Sequence, residues 1–183
     1  MTTEESQILA RCKDGDTETF RWVVTTYQRR IFSVCLKMLA DEEEAKDVVQ
    51  ETFIRVWQKL DGYDLQRPFS TWLYTIATRL CLNRLKQLRA IGSTPLDGQV
   101  LHRFAADADS QRALENLEWV SIVRLLAEGL SAKQRLVFTL CQLEGLPSAE
   151  VEQITGMDAH QVKSNLYVAR QTIRKRLKEL GYE

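Results

Sequence analysis

The chain has 183 residues with 25 basic and 25 acidic side chains, so its formal net charge at pH 7 is zero. A hydrophobic content of 44% supports buried cores in one or two small domains and excludes disorder throughout the chain. No stretch approaches the roughly 18 apolar residues that a membrane span requires, and the first residues are too polar for a signal peptide. We therefore expect a cytoplasmic protein with no membrane insertion.

The predicted elements of the first half are all helices, because apolar residues recur at helical spacing and no alternating strand pattern occurs. We predict a helix over residues 4–13 and a second over 17–39. A third begins after the N-cap Asp41, with Glu44 at the reciprocal capping position, and ends near residue 60. The segment DGYDLQR then forms a loop, and Pro68 is suited to the first position of a fourth helix.

The second half contains a predicted linker and a second helical domain. Residues 91–110 combine turn residues, weak periodicity and a rising acidic content, which is typical of a flexible linker. Four further helices are predicted, over residues 111–128, 131–144, 148–155 and 159–180. Ser131 and Gln134 form a capping box. The sequence therefore predicts an all-α protein of two small domains, residues 1–90 and 111–183, joined by residues 91–110.

The cysteines and histidines show no spacing typical of a metal site, and no catalytic motif occurs. Zinc ligands cluster in the sequence, whereas the two histidines are far apart and each cysteine falls singly within a helical pattern. A serine-histidine-aspartate set and a phosphate-binding loop are also missing from the sequence. We expect no metal, no cofactor and no enzymatic activity, and cysteines that are reduced and mostly buried. The cysteines are Cys12, Cys35, Cys81 and Cys141.

The last two predicted helices have the spacing of a helix-turn-helix motif, with a short turn that contains Gly156. Asp158 caps the longer helix, and Gln161 lies at its third position. An α-helix fits the major groove of DNA, where lysine reaches guanine acceptors and serine bonds to base edges. The alternative is a solvated basic face on an ordinary helical hairpin. The side chains predicted to face DNA are His160, Lys163, Ser164, Tyr167, Arg170 and Arg174.

The third predicted helix carries one apolar residue outside its core stripe. That residue is Ile54, and its neighbours on the helix surface are polar. An exposed β-branched side chain in a polar surround is a candidate point for docking of another protein, although a lone surface isoleucine is common. The polar neighbours are Asp47, Gln50, Glu51 and Gln58.

Residues 67–90 carry five basic side chains, three aromatic ones and no carboxylate. On the fourth helix one face is apolar and directed to a core, and Trp72 lies at its border. We expect the other face to be hydroxyl-rich and cationic, which suits a single nucleic-acid strand. Trp72, with Tyr63 or Phe69 nearby, would stack on or wedge against an unstacked base. The alternative is that Trp72 and Phe69 belong to the core. The predicted outer face consists of Thr71, Thr75, Thr78, Arg79, Leu82 and Lys86.

Three elements in this order resemble a known family. The segments DVVQETFIRVW and FSTWLYTIA, followed by a helix-turn-helix that contains VKSNLYVAR, are similar to those of the extracytoplasmic-function sigma factors of bacterial RNA polymerase. The resemblance implies a first domain, called region 2, that docks on core polymerase and opens the minus-ten promoter element. It implies a second domain, called region 4, that reads the minus-thirty-five element as duplex DNA.

The resemblance also assigns residues and partners. It implies contact with the clamp helices of the largest polymerase subunit, and with the flap, and an inhibitory anti-sigma factor that is often membrane-anchored. The loop aromatic Tyr63 would capture a flipped base. The residues implied at the polymerase contact are Asp47, Gln50, Glu51, Ile54 and Trp57. The residues implied along the minus-ten strand are Tyr63, Thr71, Trp72, Thr75 and Arg79.

Two other functions are compatible with the sequence. One is a self-sufficient helix-turn-helix regulator whose first domain dimerises or binds an effector. The other is a helical adaptor that touches no DNA. A classical repressor binds its duplex tightly on its own, whereas two weakly binding domains gain affinity only when polymerase joins them. Binding of the free protein to duplex DNA therefore discriminates between these functions.

Overall fold

The first helical unit forms because four amphipathic segments bury their apolar faces against one another. The computed structural model describes residues 3–90, 129–179 and 181 of the chain. The first unit contains α1 (Thr3–Lys13), α2 (Thr17–Leu39), α3 (Glu42–Lys59) and α4 (Phe69–Ala90), with a 3-10 turn at Leu60–Gly62. The predicted all-α fold is confirmed, and the described residues contain no strand.

The N-termini of two of these helices are fixed by aspartate caps. The Asp16 carboxylate accepts a hydrogen bond from the Thr19 amide at 2.9 Å, and Asp41 accepts one from the Glu44 amide at 2.9 Å. Glu44 was expected to complete a reciprocal cap, but its carboxylate lies 3.0 Å from Nε of Arg84 on α4. An ion pair between two helices therefore takes the place of a bond within the first turn.

The core of the first unit lies between α2, α3 and α4. Val34, Val48, Leu73 and Ala77 are fully or almost fully buried there. The apolar face predicted for α4 is the one that packs inward, because residues three and four apart lie on one side of a helix. Cys12, Cys35 and Cys81 are buried as well, and the cysteines of the described residues are free thiols.

The second unit contains α5 (Ala132–Phe138), α6 (Ser148–Thr155) and α7 (Ala159–Glu179). The predicted capping box at Ser131 and Gln134 is present, and α5 continues into a π-helical turn at Thr139–Leu143. The predicted linker 91–110 and helix 111–128 lie outside the described residues. Among those that are described, no helix is both long and apolar enough to cross a bilayer.

The two units pack against each other and share apolar core. Leu136, Leu140 and Val151 of the second unit are buried in the same cluster as Tyr74 and Leu85 of α4. Polar contacts surround this apolar contact. Arg135 on α5 donates a hydrogen bond from Nη1 to the carbonyl of Met38 at 2.8 Å, at the C-terminal end of α2 where the helix dipole favours a cation. The contact places α6 directly over α4.

Candidate functional site

An apolar groove of about 800 Å³ lies between α2 and α3. Its floor and walls are formed mainly by large apolar side chains. Trp57 is half-buried and packs against Phe20 of α2, with ring centroids 4.8 Å apart and planes inclined by 59°. Polar side chains, including Arg29, Lys46 and Gln50, form the rim. The apolar lining consists of Phe20, Val24, Phe32, Val49, Phe53, Ile54 and Trp57. We call this the α2–α3 groove.

The structure places three of the five residues predicted for polymerase contact on the α2–α3 groove, and leaves Asp47 and Glu51 outside its lining. Ile54 is 49% exposed and lies on the α2–α3 groove, together with Gln50 and Trp57. Asp47 is exposed on the same helix, and the carboxylate of Glu51 pairs with Arg55 at 2.6 Å. Sequence reasoning missed the α2 half of the groove. The spacing of Phe20, Val24, Gln28 and Phe32, four residues apart, is the signal that would have indicated it.

An aromatic cluster joins the loop before α4 to the start of that helix. Tyr63 stacks on Trp72, with centroids 4.6 Å apart, and packs edge-on against Phe69 at 5.6 Å. Phe69 also contacts Tyr27 of α2 at 5.3 Å. The cluster fixes the loop 60–68 against the first turn of α4.

Tyr63 is buried in this structure rather than available to a flipped base. Only 4% of the residue is exposed, its hydroxyl donates a hydrogen bond to the carbonyl of Arg67, and its own carbonyl accepts one from Lys13 at 3.0 Å. Burial raises the pKa of Tyr63 to about 12, with a smaller contribution from the charge of Glu5. The ring therefore supports the loop in this arrangement. Trp72, beside it, is half-buried.

The predicted outer face of α4 is only partly exposed. Arg79 and Lys86 are exposed and Thr75 is half-buried, as expected of a surface. The prediction is wrong for Thr78, which is 1% exposed and donates its hydroxyl to the carbonyl of Tyr74 at 2.7 Å. Threonine can satisfy its hydroxyl on the preceding turn, and this allows it to be buried on an apolar side of a helix.

The prediction of an exposed position is also wrong for Thr71, for a different reason. Thr71 is 9% exposed because α6 of the second unit covers it, and its hydroxyl donates a hydrogen bond to Oε1 of Glu150 at 3.1 Å. No periodicity within α4 could have indicated this contact. It joins residues that are 79 positions apart in the chain.

The helix-turn-helix has the geometry that its sequence predicts. Gly156 ends α6 with φ of 71°, a left-handed conformation that glycine adopts without strain, and its amide donates to the Glu152 carbonyl at 2.8 Å. The Gln161 amide donates to Asp158 at 2.8 Å, and the Asp158 amide donates to Gln161 at 3.2 Å. The two helices are thus held by a tight turn and a reciprocal cap.

The outer face of α7 is exposed along most of its length. Tyr167 is 63% exposed, and the guanidinium of Arg170 donates two hydrogen bonds, of 2.8 and 3.1 Å, to Oε1 of Gln142. The inward side of the same helix buries Val162 and Ala169. All six side chains that the sequence predicted to face DNA are exposed: His160, Lys163, Ser164, Tyr167, Arg170 and Arg174.

These features define a class of protein. The first unit carries an exposed apolar groove, and the second carries a capped helix-turn-helix with a cationic outer face. This combination is typical of a DNA-binding transcription protein that also docks on another protein.

Comparison with known proteins identifies the family. Sigma-70 region 2 matches residues 23–91 and Sigma-70, region 4 matches residues 121–173. The ECF RNA polymerase sigma factor SigW of Bacillus subtilis is 30% identical over 181 residues, which cover 94% of this chain and 96% of SigW. The chain belongs to the extracytoplasmic-function (ECF) sigma factors, which are transcription initiation factors.

Solved structures show the same fold. CnrH, in complex with the cytosolic domain of CnrY, superposes with a TM-score of 0.70 at 22% identity, covering 95% of this chain and 97% of CnrH. The sigma factor RpoE of Bartonella quintana, in complex with the anti-sigma factor NepR, superposes with a TM-score of 0.66 at 22% identity, covering 87% of this chain and 96% of RpoE.

Proposed function

We propose that the chain binds core RNA polymerase through the α2–α3 groove and directs it to promoters. The observation that carries this proposal is the exposure of Ile54 beside the half-buried Trp57, on an apolar groove with a polar rim. A groove of this kind accepts the apolar face of a partner helix. The clamp helices of the largest polymerase subunit are the partner that the family indicates, and the polymerase flap would contact the second unit.

The start of α4 and the loop before it are proposed to hold one strand of the opened minus-ten element. Arg79 offers an exposed cation, and the half-buried Trp72 offers an aromatic ring near Thr75. Stacking a base on an aromatic ring returns part of the free energy lost when the base leaves the duplex. Tyr63 would act by positioning the loop, unless the loop opens to release its ring. Thr71 would reach DNA once α6 no longer covers it.

The outer face of α7 is proposed to read the minus-thirty-five element as duplex DNA. Lys163 and Ser164 lie near the N-terminal end of α7, the end that enters the major groove in helix-turn-helix proteins. Tyr167 can pack on a thymine methyl group, and Arg170 and Arg174 can reach phosphates. The Arg170 contact with Gln142 would hold that guanidinium in a fixed orientation.

Further properties complete the proposal. Residues 1–90 would form the first domain, 91–110 the linker and 111–183 the second domain. The chain would have no enzymatic activity and would act in the cytoplasm. The solved relative RpoE is held by an anti-sigma factor, and we propose that a protein inhibitor, membrane-anchored in many members of the family, also controls this chain.

Run-off transcription with purified core polymerase tests the proposal. Core enzyme alone and core enzyme with the full chain are incubated with fragmented genomic DNA, and the transcripts are sequenced. We expect transcripts that start at a shared promoter sequence only when the chain is present. A self-sufficient regulator would give no such transcript and would bind a duplex site tightly without polymerase, and that result would contradict the proposal.

A further inference from the structure

Val168 is an apolar side chain on the outer face of α7. It is 40% exposed, whereas Val162, Ala169 and Ile173 bury the inward side of the same helix. Residues 159–178 of this helix carry six lysine and arginine side chains and no carboxylate. An exposed valine adds little to the core, since the free energy of burial scales with the apolar area that is covered. Val168 is therefore a candidate for contact with the ligand of α7.

The exposed face of α7 divides into a cationic edge and an uncharged stripe. The cationic edge carries Lys163, Arg170 and Arg174, which suit the phosphates of DNA. The stripe beside it contains exposed side chains that follow one another by one helical turn, at intervals of four and three residues. They are Ser164, Val168 and Gln171, and we call them the neutral stripe. Valine has no group that bonds to a phosphate, so the neutral stripe suits the edges of bases.

The spacing of the neutral stripe fits a helix that reads the major groove. Together with Tyr167, its residues are at positions i, i+3, i+4 and i+7 of α7, and all of them are exposed. The base-contacting residues in the recognition helix of homeodomains, which are helix-turn-helix variants, have the same spacing. Val168 therefore lies among the side chains that meet base edges when α7 enters the groove.

We propose that Val168 contacts the 5-methyl group of a thymine in the minus-thirty-five element, so that the chain selects a T·A base pair at that position. This inference rests on the proposed function of α7. The methyl group of thymine is the apolar group that base pairs display in the major groove. In a helix, χ1 of valine has one strongly preferred rotamer, and so the side chain makes this contact at a small cost in entropy.

The surroundings of Val168 fit a single methyl group rather than a partner helix. Ile54 lies on an apolar groove between two helices, whereas Ser164 and Gln171, one turn before and after Val168, are polar. A partner helix buries a continuous apolar face in a groove. An exposed valine among polar and cationic side chains instead suits duplex DNA, whose phosphates are anionic and whose methyl groups are isolated.

Replacement of thymine by uracil tests the contact, because uracil pairs in the same way and lacks only the methyl group. The full chain, alone and with core polymerase, first selects bound duplexes from a random library, and a selected duplex is labelled with fluorescein. Each thymine is then replaced by uracil, one at a time, and fluorescence anisotropy measures binding. We expect one replacement to weaken binding about fourfold, as the loss of one buried methyl group implies.

Val168→Ala removes the proposed contact, and Val168→Ile is the matched control that keeps an apolar side chain. We expect Val168→Ala to bind the thymine and uracil duplexes equally, and Val168→Ile to retain the difference. The inference is overturned if Val168→Ala retains the difference at every thymine, or if Tyr167→Ala alone abolishes it. Loss of co-purification of Val168→Ala with core polymerase would show that Val168 docks on protein, and would overturn it as well.

The outcome for this inference is distinguishable from the outcome for the proposed function. If no sequence is selected with or without polymerase, no base is read and this inference is overturned, while run-off transcription tests the proposed function separately. Transcription without a methyl effect would retain the proposed function and overturn this inference. A methyl effect on a site that the chain binds alone, without any transcript, would retain Val168 as a thymine contact and contradict the proposed function.

Discussion

Tyr63 stacks on Trp72 with ring centroids 4.6 Å apart and planes inclined by 26°. The stack joins the loop that follows α3 to the first turn of α4, so each ring limits where the other can move. Tyr63, which the sequence predicts to contact DNA, therefore supports the surface that is proposed to contact DNA. The stability of this loop and its proposed role in strand separation are therefore linked through one pair of rings.

Replacing Tyr63 tests the structural half of this link. We expect Tyr63→Ala to lower the free energy of unfolding by about 3 kcal/mol, because it leaves a cavity beside Phe69 and Trp72. Tyr63→Phe keeps the ring and loses the hydrogen bond to Arg67, for which we expect about 1 kcal/mol. Urea denaturation followed by tryptophan fluorescence measures both. Equal losses for the two variants would contradict the packing role.

Replacing Trp72 tests the functional half. We expect Trp72→Ala to slow promoter opening. The complex of polymerase with the variant is added to promoter DNA, and the permanganate reactivity of unpaired thymines is measured over time. Trp72→Phe preserves a ring for stacking and serves as the control. If Trp72→Ala lowers the thermal midpoint and leaves the opening rate of the folded fraction unchanged, the ring is only a core residue.

Ile54→Asp tests the α2–α3 groove. The change places a charge in a contact that becomes dry when a partner binds, while the side chain is 49% exposed in the free chain. We expect loss of co-purification with core polymerase and an unchanged thermal midpoint. Val168→Asp is the matched control, since Val168 is 40% exposed on α7 and distant from the groove. Retained co-purification of the Ile54 variant would rule out this docking surface.

Lys163→Ala tests sequence readout by α7. We expect the complex of polymerase with this variant to bind one duplex element more weakly, by about 1–3 kcal/mol, if the ammonium group contacts a base. Binding to core polymerase should not change. Lys178→Ala, at the far end of the same helix, is the control. An equal loss on all duplex sequences would show that Lys163 contacts phosphate only.

The N-cap of α2 makes stability depend on pH. Hydrogen bonds from the hydroxyl and amide of Thr19, and one from Arg11, lower the pKa of Asp16 from 3.8 to about 2. A carboxylate whose pKa is lowered by folding stabilises the fold at pH values above its pKa in the unfolded chain. This contribution is lost as the pH falls towards about 2. Asp16→Asn caps the helix without titrating. We expect the thermal midpoint of the wild-type chain to fall more than that of Asp16→Asn between about pH 4 and pH 2, and equal falls would contradict this.

The sequence by itself determined the features that depend on a few consecutive turns of helix. The bounds of α2 and α6, the capping box at Ser131, and the turn between α6 and α7 follow from hydrogen bonds and periodicity within a short segment. The exposure of the outer face of α7 follows in the same way, because its apolar residues recur on one side only. Local chemistry is enough to fix these elements, whatever packs around them.

Only the tertiary structure decided which polar or aromatic surfaces are covered. The α2–α3 groove needs two helices side by side, and Tyr63 is buried because Phe69 and Trp72 enclose it. Glu144 meets Lys37 across 107 positions of the chain. A helical pattern specifies which side chains share a face. The element that covers that face is set by the packing of the whole core. The contact of Glu150 with Thr71 could therefore not be predicted from the pattern of α4.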